Sequence, residues 1–328
     1  MNRRALVTGA TGGLGRVLVA QLLADGREVL ALGRNVAVGA ELEAQGARFV
    51  ATDLCDPACR LPLDGVGTIF HLAALSAPWG PEAAFHAANV TATERLLADA
   101  RAAGAARFIH VSTPSIYARP RDQIGLTEAS PLPPRLATAY ARTKLEGEQA
   151  VLAAHDAALH TVALRPRAII APHDTALLPR LLRAAEKGAM PLPRSGRALV
   201  EPTDARDVVA AMLAAEARSD EAGGKAFNVS GGIPISLRQL VSHVFSRLGK
   251  PVRLVPVPAR FVLAAGALAE ALARREPAIT RHAALTLGWS QTFDLAAARQ
   301  TLGWGPRHHP LAAIDWALDE RQREQSHA

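Results

Sequence analysis

Short, nearly continuous apolar runs alternate with stretches of helical periodicity through the first half of the chain. Ala5–Thr8, Glu28–Leu32, Arg48–Ala51, Thr68–Leu72, Arg107–Ser112 and Thr161–Arg165 have strand length and the apolar density of strands covered on both faces. Segments 13–25, 81–103 and 136–155 repeat apolar residues every three or four positions and predict helices. Strands separated by crossover helices make the fold class α/β, a doubly wound parallel sheet. After Arg165 the texture changes. Prolines accumulate (Pro166, Pro172, Pro179, Pro191, Pro193, Pro202), and apolar helices alternate with extended pieces such as Lys225–Ser230 and Val252–Val257. The expected organisation is a nucleotide-binding sheet over 1–165, rejoined by 203–230, with a smaller, interleaved C-terminal substrate-binding lid over 166–202 and 231–328.

Composition narrows the classes. The chain has 328 residues, of which 49% are hydrophobic and 20% charged, enough for a sizeable core. Met1–Val7 runs straight into the first strand with no apolar leader before it, which predicts a cytoplasmic protein. The longest apolar segment, Phe261 to Ala269, is bounded by Arg260 and Glu270 and falls short of the ~18 residues of a membrane span. It reads as a buried or surface-lying helix. Cys55 and Cys59 are too few for a disulfide framework and lack the neighbours of a zinc site, so no metal is expected. The net charge is +7, but the arginines are scattered and aromatics make up 4%, a poor match to nucleic-acid binding.

The first strand ends in Thr8-Gly9-Ala10-Thr11-Gly12-Gly13-Leu14-Gly15, directly before a helix. Gly9 permits a tight turn, Gly12 lets the backbone approach a pyrophosphate, and Gly15 allows close helix–strand packing. The helix N-terminus adds free N–H donors for phosphate. Strand, glycine loop and helix in that order are the Rossmann dinucleotide context. The second strand ends in Gly33-Arg34, without the acid that holds the ribose hydroxyls of NAD. Arg34 tolerates a 2′-phosphate, so NADP(H) is preferred, with NAD(H) as the alternative.

Tyr140 and Lys144 lie four apart in a helical stretch and share a face. The chain has two tyrosines, and four lysines against 33 arginines, so a lysine one turn from a tyrosine stands out. A free phenol has a pKa of about 10, and a nearby ammonium is expected to lower it toward the range useful for proton exchange. The expected chemistry is carbonyl–alcohol interconversion, with hydride moving to or from a nicotinamide while Tyr140 exchanges the proton.

These motifs together resemble the extended short-chain dehydrogenase/reductase family over nearly the whole chain. In that resemblance Thr11, Gly13 and Leu14 belong to the cofactor loop with the three glycines. Asp53-Leu54 is similar to the pair that contacts adenine, and His71-Leu72-Ala73-Ala74 to the loop beside the cofactor. Asn89 opens a helix pattern like the family's, and Leu164-Arg165-Pro166 resembles its turn near the nicotinamide. The resemblance makes Thr113, in Val111-Ser112-Thr113, the hydroxyl that bonds the substrate oxygen, with Ser112 its structural neighbour. It also has Lys144 bond the nicotinamide ribose. Departures matter as well. Pro114 and Ser115 stand where sugar-nucleotide dehydratases carry Asp-Glu, and Ala171-Pro172-His173-Asp174 replaces Gly-Pro-Gly-Asp. Val255-Pro256-Val257-Pro258, Glu276–Arg281 and Phe293-Asp294 through Pro306 resemble the 3β-hydroxysteroid dehydrogenase branch, whose bacterial relatives include 2-alkyl-3-oxoalkanoate reductases.

The resemblance implies a small hydrophobic hydroxy or oxo substrate and a homodimer built through helices 81–103 and 136–155. The apolar helix 259–273 suits a greasy entrance or a peripheral membrane contact, or else simply packs on the lid. Two other readings stand beside this one. An NDP-sugar epimerase would use Arg194 and Arg197 on a diphosphate. A non-catalytic dinucleotide sensor would not need Thr113, Tyr140 and Lys144 together.

Overall fold

Seven parallel strands form the centre of the computed structural model, which describes residues 4–174 and 178–327. Residues 1–3, 175–177 and 328, included in the expected domain ranges, lie outside the described residues. The strands are β1 (Arg4–Thr8), β2 (Glu28–Gly33), β3 (Arg48–Ala51), β4 (Val66–His71), β5 (Arg107–Val111), β7 (His160–Pro166) and β12 (Lys225–Val229). Their order is β12-β7-β5-β4-β1-β2-β3. The chain enters in the middle, winds outward to β3, then returns to β4 on the other side of β1. The reversal between β1 and β4 opens a crevice at the carboxyl ends of those strands, where ligands of such sheets bind. Ala5 to Thr8 are fully buried because helices cover both faces, which is why β1 reads as an apolar run rather than an alternation.

α1 (Gly13–Ala24) packs beneath the sheet beside α7 (Ala205–Ala217), so the segment around 203–230 lies against the sheet through both α7 and β12. α2 (Val36–Ala44) has no counterpart among the expected helices. Gly39 weakens its helical signature, yet it is required, since a Cβ there would lie 2.2 Å from the Phe49 ring. The Asn35 side chain caps α2 by accepting from the Val38 N–H. The expected helix 81–103 is interrupted. α3 (Glu82–His86) passes through a π-helical turn, Ala87–Thr91, into α4 (Ala92–Ala102). α5 (Ala139–Ala153) begins three residues later than expected because Thr138 caps it, its hydroxyl accepting from the Ala141 N–H.

Four two-stranded pairings surround the sheet. β6 (Gln123–Leu126) pairs with β15 (Gln291–Phe293), and β8 (Ile169–Ile170) with β11 (Thr203–Asp204). β9 (Ala189–Pro193) pairs with β14 (Arg253–Val257), and β10 (Leu199–Val200) with β13 (Ile235–Ser236). The remaining helices are α6 (Leu178–Glu186), α8 (Ser219–Ala222), α9 (Leu237–Arg247), α10 (Ala259–Leu272), α11 (Arg281–Gly288) and α12 (Pro310–His327). α6, α9 and α12 share an apolar core separate from those flanking the sheet, including Ile170, Leu192, Val241, Val244 and Ile314. No helix among the described residues is long and apolar enough to cross a membrane.

Candidate active site

The glycine loop takes the shape its composition demands. Gly9 has φ +66°, and a Cβ there would sit 2.9 Å from the Ala73 nitrogen. Gly15 is pressed against the loop, where an added Cβ would come within 2.3 Å of the Gly9 carbonyl oxygen. Gly12 precedes α1 in an extended conformation with no side chain capping the helix, so the first N–H groups of α1 remain available to an anion. Gly13 and Leu14 open the helix, and a Cβ on Gly13 would meet His173 and Ala171 at 3.1–3.2 Å, which places the altered Ala171–Asp174 loop beside it. This cradle fits a dinucleotide pyrophosphate.

The end of β2 explains the missing acid. A Cβ on Gly33 would lie 2.6 Å from the Thr11 side chain, leaving no room for a carboxylate there. Arg34 is exposed, its side chain at 77% of full accessibility, with Asp53 the nearest anion at 3.7 Å. Asp53 also accepts from the Cys55 N–H, and Leu54 packs partly buried beside the sheet.

Across the switch point, Thr8, His71 and Thr93 tie β1, β4 and α4 together. The Thr93 hydroxyl donates to the Asn89 carbonyl at 2.9 Å, so His71 Nε2 must carry the proton it shares with Thr93 at 3.0 Å. His71 Nδ1 then accepts from the Thr8 hydroxyl at 2.8 Å, and Thr8 in turn accepts from the Leu72 and Ala73 N–H groups. Burial holds the His71 pKa down to about 3, so the imidazole stays neutral in this chain. Ala73 is thereby fixed beside Gly9, with Ala74 exposed next to it. Asn89 is buried with its amide committed, bonding both backbone groups of Leu75 and the Thr143 hydroxyl of α5. It ties the cofactor-side loop to the helix bearing Tyr140.

α5 carries both members of the expected pair. Thr113, at the end of β5, is buried. Its hydroxyl accepts from the Ser115 N–H at 3.2 Å and donates to the Ser115 hydroxyl at 3.1 Å. The Thr113 hydroxyl also lies against the Tyr140 phenol and favours its ionised form, although burial dominates and leaves that pKa above its ordinary value. Ser112 is buried with an unpartnered hydroxyl. Lys144 is 1% exposed, and its ammonium donates to the Val111 carbonyl at 2.6 Å and to His110 Nε2 at 3.2 Å. Burial lowers the Lys144 pKa from 10.5 to about 7, with Glu148 opposing the fall. The expected lowering of the phenol by its neighbouring cation is therefore not what the structure displays. Desolvation dominates at both groups, opposed by the Thr113 hydroxyl at Tyr140 and by Glu148 at Lys144.

Glu148, one turn beyond Lys144, anchors α5 to β7. Arg165 donates to its two carboxylate oxygens at 2.9 and 2.5 Å, and to the Tyr117 hydroxyl. Pro166, the last residue of β7, follows at the carboxyl edge. Arg194, the candidate diphosphate ligand, forks onto Asp122 at 2.6 and 2.9 Å, while Arg197 bonds the Arg194 carbonyl.

Three residues escaped the sequence reading. His110 sits opposite His71 in the register of neighbouring strands, with ring centroids 5.2 Å apart. Two histidines ending adjacent apolar strands were a visible signal. His282 on α11 stands edge-on to the Tyr140 ring at 5.7 Å, and Arg167 reaches the same helix. His282 meets Tyr140, and Thr286 meets Arg167, from more than a hundred residues along the chain, so no local motif announces either contact.

The family model described as the NAD-dependent epimerase/dehydratase family matches residues 5–230. The chain is 36% identical to the 2-alkyl-3-oxoalkanoate reductase of Stenotrophomonas maltophilia, over 93% of this chain and 95% of that protein. It is 29% identical to the decarboxylating sterol-4-alpha-carboxylate 3-dehydrogenase of Bos taurus, over 99% and 93%. Among solved structures, MoeE5 in complex with UDP-glucose and NAD superposes with a TM-score of 0.76 at 25% identity, over 98% and 99%. With the glycine cradle, the switch-point crevice and the Thr113–Tyr140–Lys144 arrangement in place, the chain belongs to the NAD-dependent epimerase/dehydratase family, the extended short-chain dehydrogenases/reductases.

Proposed function

We propose that this protein is an oxidoreductase that interconverts a carbonyl and a secondary alcohol on a small hydrophobic hydroxy or oxo substrate, with NADP(H) preferred over NAD(H). One observation carries the reading: the Tyr140 phenol touches the Thr113 hydroxyl, with Lys144 one turn along the same helix, at the carboxyl edge next to the glycine cradle. The bound nicotinamide would supply or accept the hydride. The chain's own residues handle the proton. Tyr140, kept protonated at neutral pH by burial, gives its phenolic proton to the carbonyl oxygen during reduction, while the Thr113 hydroxyl, turned from Ser115, donates a second hydrogen bond to that oxygen. In oxidation Tyr140 must first be the phenolate, which accepts the alcohol proton, and the Lys144 ammonium favours that form when charged. Gly9, Thr11, Gly12, Gly13, Leu14 and Gly15 would hold the pyrophosphate, with Ala73, Ala74 and Pro166 lining the crevice. Asp53 and Leu54 would meet the adenine, and Asn89 would position the surrounding loop. The Gly33–Thr11 contact and the exposed Arg34 support NADP(H).

The names of the reductase and sterol dehydrogenase relatives support a hydrophobic oxo or hydroxy substrate. Arg194 is engaged with Asp122, and Pro114 and Ser115 offer no acid–base pair, which argues against the NDP-sugar reading. The three catalytic groups together argue against a passive sensor. The division into 1–165 with 203–230, and a lid of 166–202 and 231–328, belongs to this proposal. So do a cytoplasmic location and a homodimer through α4 and α5, which sedimentation velocity reads. NADPH and NADH oxidation should be followed against 3-oxo acids, ketosteroids and NDP-sugars. Tyr140→Phe is expected to lose about 10²–10⁴-fold in turnover. Full turnover of that variant would overturn the mechanism, and activity on sugars alone would overturn the substrate class.

A further inference from the structure

Two arginines flank Pro166 and differ in their pairing. Arg165 forks onto Glu148 and reaches Tyr117, whereas Arg167 is only 6% exposed yet, among the described residues, donates just one side-chain hydrogen bond, to the Thr286 carbonyl at 3.1 Å. Its Nε has no partner among the described residues. Glu201, the carboxylate whose field acts on it, is committed elsewhere, accepting from the Ser230 hydroxyl and the Phe293 N–H. Among the described residues no carboxylate oxygen lies within 4.0 Å of the Arg167 guanidinium. Burying a cation without a direct counter-ion is costly, and a fold that tolerates it beside a crevice marks a place where an anion arrives. The backbone around it is held firmly. The Arg167 N–H donates to the Val229 carbonyl at 2.8 Å, and its carbonyl accepts from the Thr203 hydroxyl at 2.6 Å.

α11 relates this cation to the catalytic phenol. His282 stands against Tyr140, and the backbone carbonyl of Thr286, four residues later, accepts from Arg167. Four residues of helix set those two positions about 6 Å apart along the axis of α11. On the sheet side, Arg167 follows the end of β7 and Thr113 follows the end of its neighbour β5, where Val111 pairs with Leu164. In a 3-oxo acid the carboxyl carbon and the carbonyl carbon are two bonds apart, roughly 2.5 Å. The shared helix and the neighbouring strand ends put the phenol and the guanidinium at the same end of the sheet, the arrangement that a molecule carrying its carbonyl and its acid group two bonds apart requires.

We propose that Arg167 is the carboxylate-binding residue of the substrate pocket, holding the acid group of a 3-oxo or 3-hydroxy acid while the C3 oxygen rests on Tyr140 and Thr113. This rests on reading the site as a carbonyl–alcohol oxidoreductase. Arg167 sets substrate preference and takes no part in proton or hydride transfer.

The test compares a freshly prepared 2-alkyl-3-oxoalkanoate with its methyl ester and with a simple ketone of matched length. Wild type is expected to favour the acid over the ester by at least ~10-fold in kcat/KM. Arg167→Met should lose ~10- to 100-fold on the acid through KM, with the ester unchanged and NADPH binding intact. Arg167→Lys should recover part of the loss. Equal loss on acid and ester, or no preference for the acid in wild type, would overturn the proposal. Should Arg167→Met fail to fold, inhibition of wild type by a 3-hydroxyalkanoate and by its amide decides the matter. Tighter binding of the carboxylate supports the assignment, and equal binding sinks it. Reduction of ketones without preference for acids would remove only the role of Arg167. No reduction of any carbonyl would remove the oxidoreductase reading itself.

Discussion

Replacing Lys144 with methionine should stabilise the folded protein at neutral pH while abolishing its turnover. The folded-state pKa is about 7 against an ordinary 10.5. Between those values the unfolded chain binds a proton that the folded chain has released, so stability rises with pH through this window. The full cost of burying the ammonium is present below about pH 7 and gone above about 10.5. Linkage puts that cost at about 4 kcal/mol at pH 7 and about 2 kcal/mol at pH 9. Methionine removes it but leaves the Val111 carbonyl and His110 Nε2 without the donor they now meet at 2.6 and 3.2 Å, a loss of about 1 kcal/mol each. The variant should therefore be about 2 kcal/mol more stable at pH 7 and nearly equal to wild type at pH 9. Denaturant unfolding of both proteins at pH 7, 8 and 9, without dinucleotide, measures the difference. A stability gap that stayed constant with pH would refute the argument, whatever its sign, because only a titrating group produces that slope.

Other expectations follow from the same geometry. Gly15→Ala would drive a Cβ to 2.3 Å from the Gly9 carbonyl, so it should cost about 1–3 kcal/mol in unfolding free energy and weaken dinucleotide binding in calorimetry. Arg34→Ala should raise KM for NADPH by ~10-fold or more and leave NADH unaffected, and a wild-type KM lower for NADH would contradict the assigned preference. On α10, Phe261, Leu268 and Leu272 are 69%, 63% and 76% exposed along one stripe, with the exposed Arg260, Arg274 and Arg275 at its ends. That pattern suits the surface of an anionic bilayer, so the protein should co-sediment with phosphatidylglycerol vesicles and lose this on serine substitution of the three apolar residues.

Much of the fold was legible because burial on both faces writes itself as uninterrupted apolar runs. β1, β2, β3, β5 and β7 begin and end within one residue of the expected limits. α2 was not legible, since Gly39 serves the Phe49 ring rather than helix propensity, and that demand exists only once β3 and α2 are packed. Within the site, the glycine cradle and the Tyr140–Lys144 pair are local, and their spacing carries their geometry. Their electrostatics are not local. The partners of Lys144 are His110 and Val111 on a strand more than thirty residues earlier, and the burial that shifts both groups belongs to the assembled crevice. Arg167 and His282 were invisible for the same reason, because α11 joins them only in the folded chain.

The π-helical turn at Ala87–Thr91 carries one further consequence. A wide turn is a helix holding one residue more than its regular register allows. Here the surplus lets the Asn89 amide meet Thr143 of α5 while Thr93 still reaches His71, and a Cβ on Gly147 would lie only 2.3 Å from the Asn89 carbonyl. Side chains on this segment can be exchanged one at a time, but dropping a single residue would rotate everything downstream by about a third of a turn. Its length, more than its spelling, is therefore what descendants of this chain are bound to keep.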